Sequence, residues 1–378
     1  MNRQQYLGAF DACLINLENT MREMPNNPPA EYSACGDGYY FRKEPFLPFA
    51  HIGTWMTSFL LGEGLLAFHR TGKEKYLTWV KSFLPAYQSK LYDTPMDTMH
   101  DLGFLYTPFA EGLYKETGEK EYAKLAVKAA DELVKRMNLK YGMIRAWGRC
   151  DVWDHHSAGL AIIDCMMNLP LLFFASEETG NPFYRQIAVM HADNTLKTFL
   201  RPDGSVCHGY QFMEAGGVPQ GEANHCGYAN GSFWARGLAW AIYGYALAAR
   251  YTGNAVYLDT ALTLSNRFLA ETDKDGADRI PPWDFRLPDG NDKKRDSSAA
   301  AIAACGFEEI SRLTGDTALR EAGETIMERL MSPDYRNPDT GSCGILLHSN
   351  GLEHCTLFGD YFYMEALLRY AEGFGAYW

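Results

Sequence analysis

Residues 232–271 read SFWARGLAWAIYGYALAARYTGNAVYLDTALTLSNRFLAE. The first half, 232–251, is apolar or small on every side, with Arg236 and Arg250 its only charges. A helix of that kind must be buried all round. The second half, 254–271, sets Tyr257, Ala261, Leu264 and Phe268 at helical spacing and carries Asp259 and Arg267 between them. It is amphipathic and covers a neighbour. Thr252-Gly253 divides the two halves. A glycine just past a helix end supplies the left-handed residue that closes it, so the stretch predicts a helical hairpin with a tight turn.

The same punctuation recurs at Thr71-Gly72, Thr117-Gly118, Thr179-Gly180 and Thr314-Gly315. Four residues after the glycine come Tyr76, Tyr122, Tyr184 and Tyr257, with Leu319 in the fifth unit. Repetition of one hairpin unit sets the architecture. Amphipathic helices are expected over 4–22, 74–90, 119–138, 182–200, 254–271 and 316–331. Nearly all-apolar helices are expected over 55–70, 101–117, 158–178, 232–251, 297–313 and 356–371. The third of these includes the run Gly159–Leu172, which reads as buried helix with Asp164 inside it. Six of each kind, alternating, close into an all-α (α/α)6 barrel of six inner and six outer helices, a single domain over 1–378. An open solenoid is the alternative, and the ends show no polar capping repeat.

The Thr-Gly turns lie at one end of such a ring. Longer connections at the other end, 23–54, 91–100, 139–157, 201–231, 272–296 and 332–355, hold His, Trp, Cys and Gly and are candidates for function. They feed the N-termini of the inner helices, so those termini converge on one mouth that is mildly electropositive. That mouth collects Trp55, His100, Asp101, Trp147, Asp164, Trp234, Arg236, Trp240, Asp296 and Asp360, with His208 and His225 in a long loop. Asp164 among Ile163, Cys165 and Met166 loses hydration and gains a raised pKa, which suits a general acid. Arg236 in an apolar helix needs an anionic partner, from the protein or a ligand. Each has a plainer reading: Asp101 and Asp296 as helix N-caps, Trp234 and Trp240 as core, His208 and His225 as surface residues.

The 378 residues include eight Trp and 23 Tyr, and their formal net charge is −12. The charge argues against nucleic acid or an anionic membrane as partner. The aromatics suit sugar stacking. Nine cysteines form no zinc spacing and no disulfide framework, and neither a signal-peptide run nor a membrane span is evident. Reduced thiols in the cytoplasm are expected, with no metal and no organic cofactor, in a monomer or weak homodimer. Phosphate loops and the short signatures of metalloproteases and serine hydrolases are absent.

Several longer motifs resemble glycoside hydrolase family 88, the unsaturated glucuronyl hydrolases. They are His100-Asp101-Leu102-Gly103-Phe104-Leu105-Tyr106, the run from Ile162 to Leu172, the run from Ser232 to Gly244, Trp283-Asp284-Phe285 with Arg295-Asp296-Ser297-Ser298-Ala299, and Gly359-Asp360-Tyr361-Phe362-Tyr363. The resemblance runs over most of the chain and implies the same barrel. It implies a substrate left by polysaccharide lyases, an oligosaccharide with a Δ4,5-unsaturated uronic acid at its non-reducing end. The implied reaction hydrates that vinyl ether: a proton goes to C4, water adds at C5, and the resulting hemiketal opens. The resemblance places the acid and base role on Asp164 and a second acid at Asp101. As an anion, Asp101 is expected to stabilise the developing cation and to keep Asp164 protonated. It assigns Trp55, Trp147, Trp234 and Trp240 to the sugar-lining wall, and His100, His208 and Arg236 to polar contacts. Arg236 is expected to grip the uronate carboxylate.

Two departures stand out. His225-Cys226-Gly227 carries a cysteine where the family commonly has glutamine, and a thiol cannot make an amide's hydrogen bonds. The segment Leu347–Cys355 lacks Lys and Arg, so a lysine-built sulfate site is not expected. Heparin- or heparan-type substrates, or unsulfated ones, are favoured over sulfated chondroitin. The competing readings are an unsaturated rhamnogalacturonyl hydrolase acting on pectin fragments, a sugar epimerase using His bases, and a non-catalytic sugar-binding barrel.

Overall fold

The five Thr-Gly pairs close five helices by one device. Gly72, Gly118, Gly180, Gly253 and Gly315 all take φ between 64° and 74°, a region that costs a residue with a Cβ. Each threonine hydroxyl donates to the carbonyl four residues back and accepts the N–H two residues ahead. Thr252 Oγ1 donates to Ala248 O at 2.6 Å and accepts from Asn254 N at 3.1 Å. The other four pairs repeat this. The pair therefore satisfies helix-end groups that would otherwise lack partners.

The computed structural model describes residues 1–24, 31–35, 38–42, 55–154, 156–213, 220–275, 279–291 and 294–378. The chain begins with α1 (Arg3–Glu23) and a hairpin of β1 (Glu31–Cys35) and β2 (Gly38–Arg42). Of the connection predicted over 23–54, this hairpin and residues 23–24 at the end of α1 are described, and the rest lies outside the described residues. Next come α2 (Thr57–Thr71), α3 (Glu74–Lys81), α4 (Leu84–Tyr92), α5 (Leu102–Tyr106), a π-helical turn (Thr107–Glu111), α6 (Gly112–Thr117) and α7 (Lys120–Val134). The short strands β3 (Met137–Asn138), β4 (Met143–Ile144) and β5 (Leu160–Ile162) lead to a 3-10 turn (Ile163–Met167) and α8 (Leu169–Thr179). After α9 (Pro182–Thr198) come β6 (Gly209–Gln211), β7 (Gly221–Ala223), α10 (Ala235–Thr252), α11 (Ala255–Thr272), α12 (Ser297–Thr314), α13 (Ala318–Leu330) and α14 (Leu357–Glu372).

The inner ring closes on itself. The helix α2 packs on α5, α6 and the π turn, and α5 packs on α8. Then α8 and its 3-10 turn pack on α10, α10 on α12, α12 on α14, and α14 returns to α2. Outside, α1 lies on α14, α3 on α2, α7 on α5 and α8, α9 on α8, α11 on α10, and α13 on α12. This is the (α/α)6 barrel. Ala235–Ala249 of α10 and Ser297–Ser311 of α12 are buried throughout. Each large apolar side chain so enclosed contributes about 1.5–3 kcal/mol. The repeated tyrosines stitch the outer layer. Tyr76 donates to Glu18 Oε1 on α1, Tyr184 to Asp131 Oδ1 on α7, and Tyr257 to Asp193 Oδ1 on α9.

One inner element departs from the sequence expectation. Residues 158–178 are not a single helix: Leu160–Ile162 is strand, Asp164 sits in the 3-10 turn, and the α-helix starts at Leu169. Pro170 is the reason. It has no N–H for the turn before it, so a helix can begin there but cannot run through it. Pro108 similarly falls in the π turn that splits 101–117, and Pro85 opens α4, which splits 74–90. The freed strand β5 pairs antiparallel with β6, and β6 with β7. This small sheet delivers the loop around His208 and His225 to Asp164, and Ile163 N donates to His208 O at 2.8 Å.

Candidate active site

The starts of the six inner helices and one small sheet supply the site. Asp164 is 8% exposed, and its Oδ2 has no hydrogen-bond partner. Burial raises its pKa to about 6, while the charge of Arg236, a backbone N–H and the Trp240 indole pull the other way. Trp240 Nε1 lacks an ordinary hydrogen bond of its own, so the indole acts on the carboxyl from nearby without a well-formed bond to it. Trp240 is fully buried against Phe104, Trp55 and Phe362. It therefore presents its N–H edge to the acid and keeps its ring faces in the core.

Asp101 occupies the N-cap position of α5, yet its side chain makes no capping bond. It is 6% exposed, and His100 Nε2 lies 3.3 Å from its Oδ1. Burial and then the charge of Asp164 push Asp101 up to about 8. Asp164 faces Arg236 and an indole N–H, whereas Asp101 has Arg136, Lys90 and a backbone N–H in offset. Both carboxyls are held above the ordinary carboxylate range, and as neighbours they titrate as a pair.

His208 is 3% exposed, so it is no surface histidine. Its Nδ1 accepts N–H groups from His225 at 3.0 Å and Cys226 at 3.3 Å. Two donors on Nδ1 leave the proton on Nε2, which lies 3.7 Å from Asp164 Oδ2. Burial holds its pKa down at about 3, so it is neutral. His100 is fully buried with no well-formed hydrogen bond at either ring nitrogen, and burial holds it well below the usual histidine range. Trp147 packs edge-on against His225 at 4.7 Å, and Trp234 edge-on against His208 at 4.9 Å. Trp55 stacks on Phe358 at 4.9 Å.

Arg236 lies between two rings, its Cζ 4.6 Å from the centre of Trp234 and 4.7 Å from that of Phe358. Its Nη1 donates to Asp296 Oδ2 at 3.2 Å and to Asn350 Oδ1 at 2.6 Å. Its Nε is buried with no partner. The edge formed by Nε and Nη2 is thus the one left for an anion. Asp296 is an N-cap, as its plainer reading had it: Oδ1 accepts from Ala299 N at 3.2 Å, and Oδ2 takes Arg236. Asp360 is fully buried and accepts the N–H groups of Ile345 and Leu346, so it anchors a loop.

Sequence reading passed over three organisers. Asp284 accepts N–H groups from Tyr228, Phe233 and Arg286 and ties the His225 loop to α10. Arg136 donates to the carbonyls of Thr98, Arg145, Ala146, Trp147 and Gly148, fixing the loops that carry His100 and Trp147. Asn350 holds Arg236. Only Asp284 had a sequence signal, as an acid between two aromatics. Among the described residues no cluster of His, Cys, Asp and Glu has the makings of a metal site.

The model described as Glycosyl Hydrolase Family 88 matches residues 51–309. The chain is 36% identical over 336 residues to an unsaturated glucuronyl hydrolase of Bacillus sp. (strain GL1), covering 86% of this chain and 88% of that protein. It is 33% identical over 336 residues to an unsaturated chondroitin disaccharide hydrolase of Streptococcus pneumoniae (strain ATCC BAA-255 / R6), covering 86% and 83%. The crystal structure of the unsaturated glucuronyl hydrolase from Bacillus sp. GL1 aligns with a TM-score of 0.87 at 33% identity, over 100% of this chain and 98% of that one. The barrel, the carboxyl pair and these likenesses agree, and the chain belongs to glycoside hydrolase family 88.

Proposed function

We propose that this enzyme hydrates the C4=C5 bond of a Δ4,5-unsaturated uronic acid at the non-reducing end of lyase-generated glycosaminoglycan fragments. The observation that carries the reading is the unpartnered, buried Oδ2 of Asp164, set beside a second acid and a guanidinium with one free edge. Asp164 donates its proton to C4, and positive charge spreads over C5 and the ring oxygen. As a carboxylate, Asp164 then takes a proton from the water that adds to C5. The hemiketal collapses to the open-chain product and releases the next sugar. No bond at the anomeric carbon is attacked, so the carboxyl separation rules of ordinary glycosidases do not apply.

Arg236 binds the uronate carboxylate through Nε and Nη2. This pairing has a second effect. Arg236 is the largest influence lowering the pKa of Asp164. A bound carboxylate offsets that charge, so substrate binding favours the protonated form of Asp164. Trp55, Trp147 and Trp234 form the wall around the sugar. Ser349 Oγ is bonded to Thr356 Oγ1, and Asn350 Oδ1 accepts from Arg236, so these two side chains are already engaged within the protein. This supports unsulfated or heparin-type sugars at that side. No disulfide joins Cys13, Cys150, Cys165, Cys207, Cys226, Cys305 or Cys343, which supports a reducing compartment such as the cytoplasm.

The test is loss of the far-ultraviolet absorbance of the double bond with unsaturated disaccharides from heparin, chondroitin, hyaluronan and pectin lyases. Loss with a glycosaminoglycan product is expected. Persistence of the absorbance with every substrate overturns the proposal, and loss with the pectin product alone moves the assignment to rhamnogalacturonyl hydrolysis.

A further inference from the structure

Asn350 sits in a turn that reaches Arg236 from the far side of the site. Its Oδ1 accepts from Arg236 Nη1 at 2.6 Å, and its own N–H donates to Asp296 Oδ1 at 2.9 Å. Asp296 Oδ2 in turn accepts from Arg236 Nη1. Arg236, Asp296 and Asn350 therefore form a closed triangle joining the starts of α10 and α12 to the loop before α14. The turn is held hard. His348, Asn350 and Gly351 have φ of 60°, 62° and 68°, and a Cβ on Gly351 would meet Trp283 Cβ at 2.7 Å. Asparagine is one of the few residues with a side chain that enters the left-handed region readily.

The chemistry of the two acceptors differs. Asp296 brings a negative charge to Nη1, and Asn350 brings a neutral carbonyl oxygen. A second carboxylate at 350 would satisfy the same geometry while cancelling more of the guanidinium's charge. We infer that Asn350 is a positioning residue that orients Arg236 by Nη1 without adding a second negative charge there, so that the Nε–Nη2 edge discriminates an anionic uronide from its neutral form. The inference rests on the proposed role of Arg236 in gripping the uronate carboxylate.

The experiment compares kcat and KM for an unsaturated disaccharide and its uronate methyl ester, in the wild type, N350D and N350G. Both substitutions tolerate the left-handed backbone, which alanine would strain. Circular dichroism and thermal melting establish that the variants are folded. The wild type is expected to prefer the acid in KM. N350D keeps an acceptor at Nη1 yet is expected to lose about tenfold of that preference, because it places a like charge beside the bound carboxylate. N350G is expected to raise KM for the acid with a smaller effect on the ester. A purely structural role would move acid and ester together, and that result overturns the inference. A wild type that does not distinguish acid from ester overturns the Arg236 reading itself, which is a different outcome from an unchanged preference in N350D.

Discussion

His208 turns Nε2 toward Asp164 Oδ2 across 3.7 Å while two backbone N–H groups occupy its Nδ1. The histidine is thereby locked as a neutral donor facing the catalytic candidate. It can stabilise the carboxylate that Asp164 becomes, and it has no lone pair toward the substrate side with which to act as a base. Cys226 contributes to this through its backbone N–H, which any residue but proline would supply.

The His208 tautomer gives a direct test by NMR. Its imidazole resonances should not titrate between pH 5 and pH 8, because burial holds the pKa at about 3. A midpoint between 6 and 7 would contradict the locked arrangement.

Replacing Asp164 with Asn should lower kcat by roughly 10²–10⁴-fold, the usual range for losing a general acid or base. The same change should stabilise the fold at alkaline pH. The folded pKa, about 6, lies above the unfolded value, so ionising the buried carboxyl destabilises the native state as pH rises through that window. The gap corresponds to roughly 3 kcal/mol at most. Melting at pH 8 should therefore favour Asp164→Asn, and melting at pH 4 should show little difference. Equal gains at both pH values would assign the effect to packing.

The pH dependence of kcat/KM should be bell-shaped, with limbs near 6 and 8 from the acid pair. Asp101→Asn should remove or shift the alkaline limb. Trp240→Phe deletes an N–H that favours the ionised form of Asp164, so the acidic limb should move upward. A profile unchanged in both variants would detach it from these residues.

Gly103 lies two residues from Asp101, where α5 meets the start of α8. A Cβ there would fall 2.4 Å from Asn168 Cα, and Phe104 N donates to Asn168 Oδ1 at 2.8 Å. Gly103→Ala must push the two elements apart. It should cost about 1–3 kcal/mol of stability and lower kcat, because it moves Asp101 relative to Asp164. Retained melting temperature with full activity would show that this contact has slack.

Much of the barrel was readable because its signals are local. A Thr-Gly pair closes a helix through bonds spanning four residues or fewer, and apolar periodicity marks which helices are enclosed. The break at residues 158–178 was written in the chain too, in Pro170, but uninterrupted hydrophobicity masked it. Gathering of Trp, His and Asp at helix starts was likewise visible once six hairpins were counted. What no local pattern carried was the pairing of Arg236 with Asn350, 114 residues away, or the five carbonyls that hold Arg136. Nor did it carry how far the pKa values of Asp101 and Asp164 are raised. That rise depends on how much water each carboxyl loses and which charge faces it, and those quantities exist only after the inner ring has closed around them.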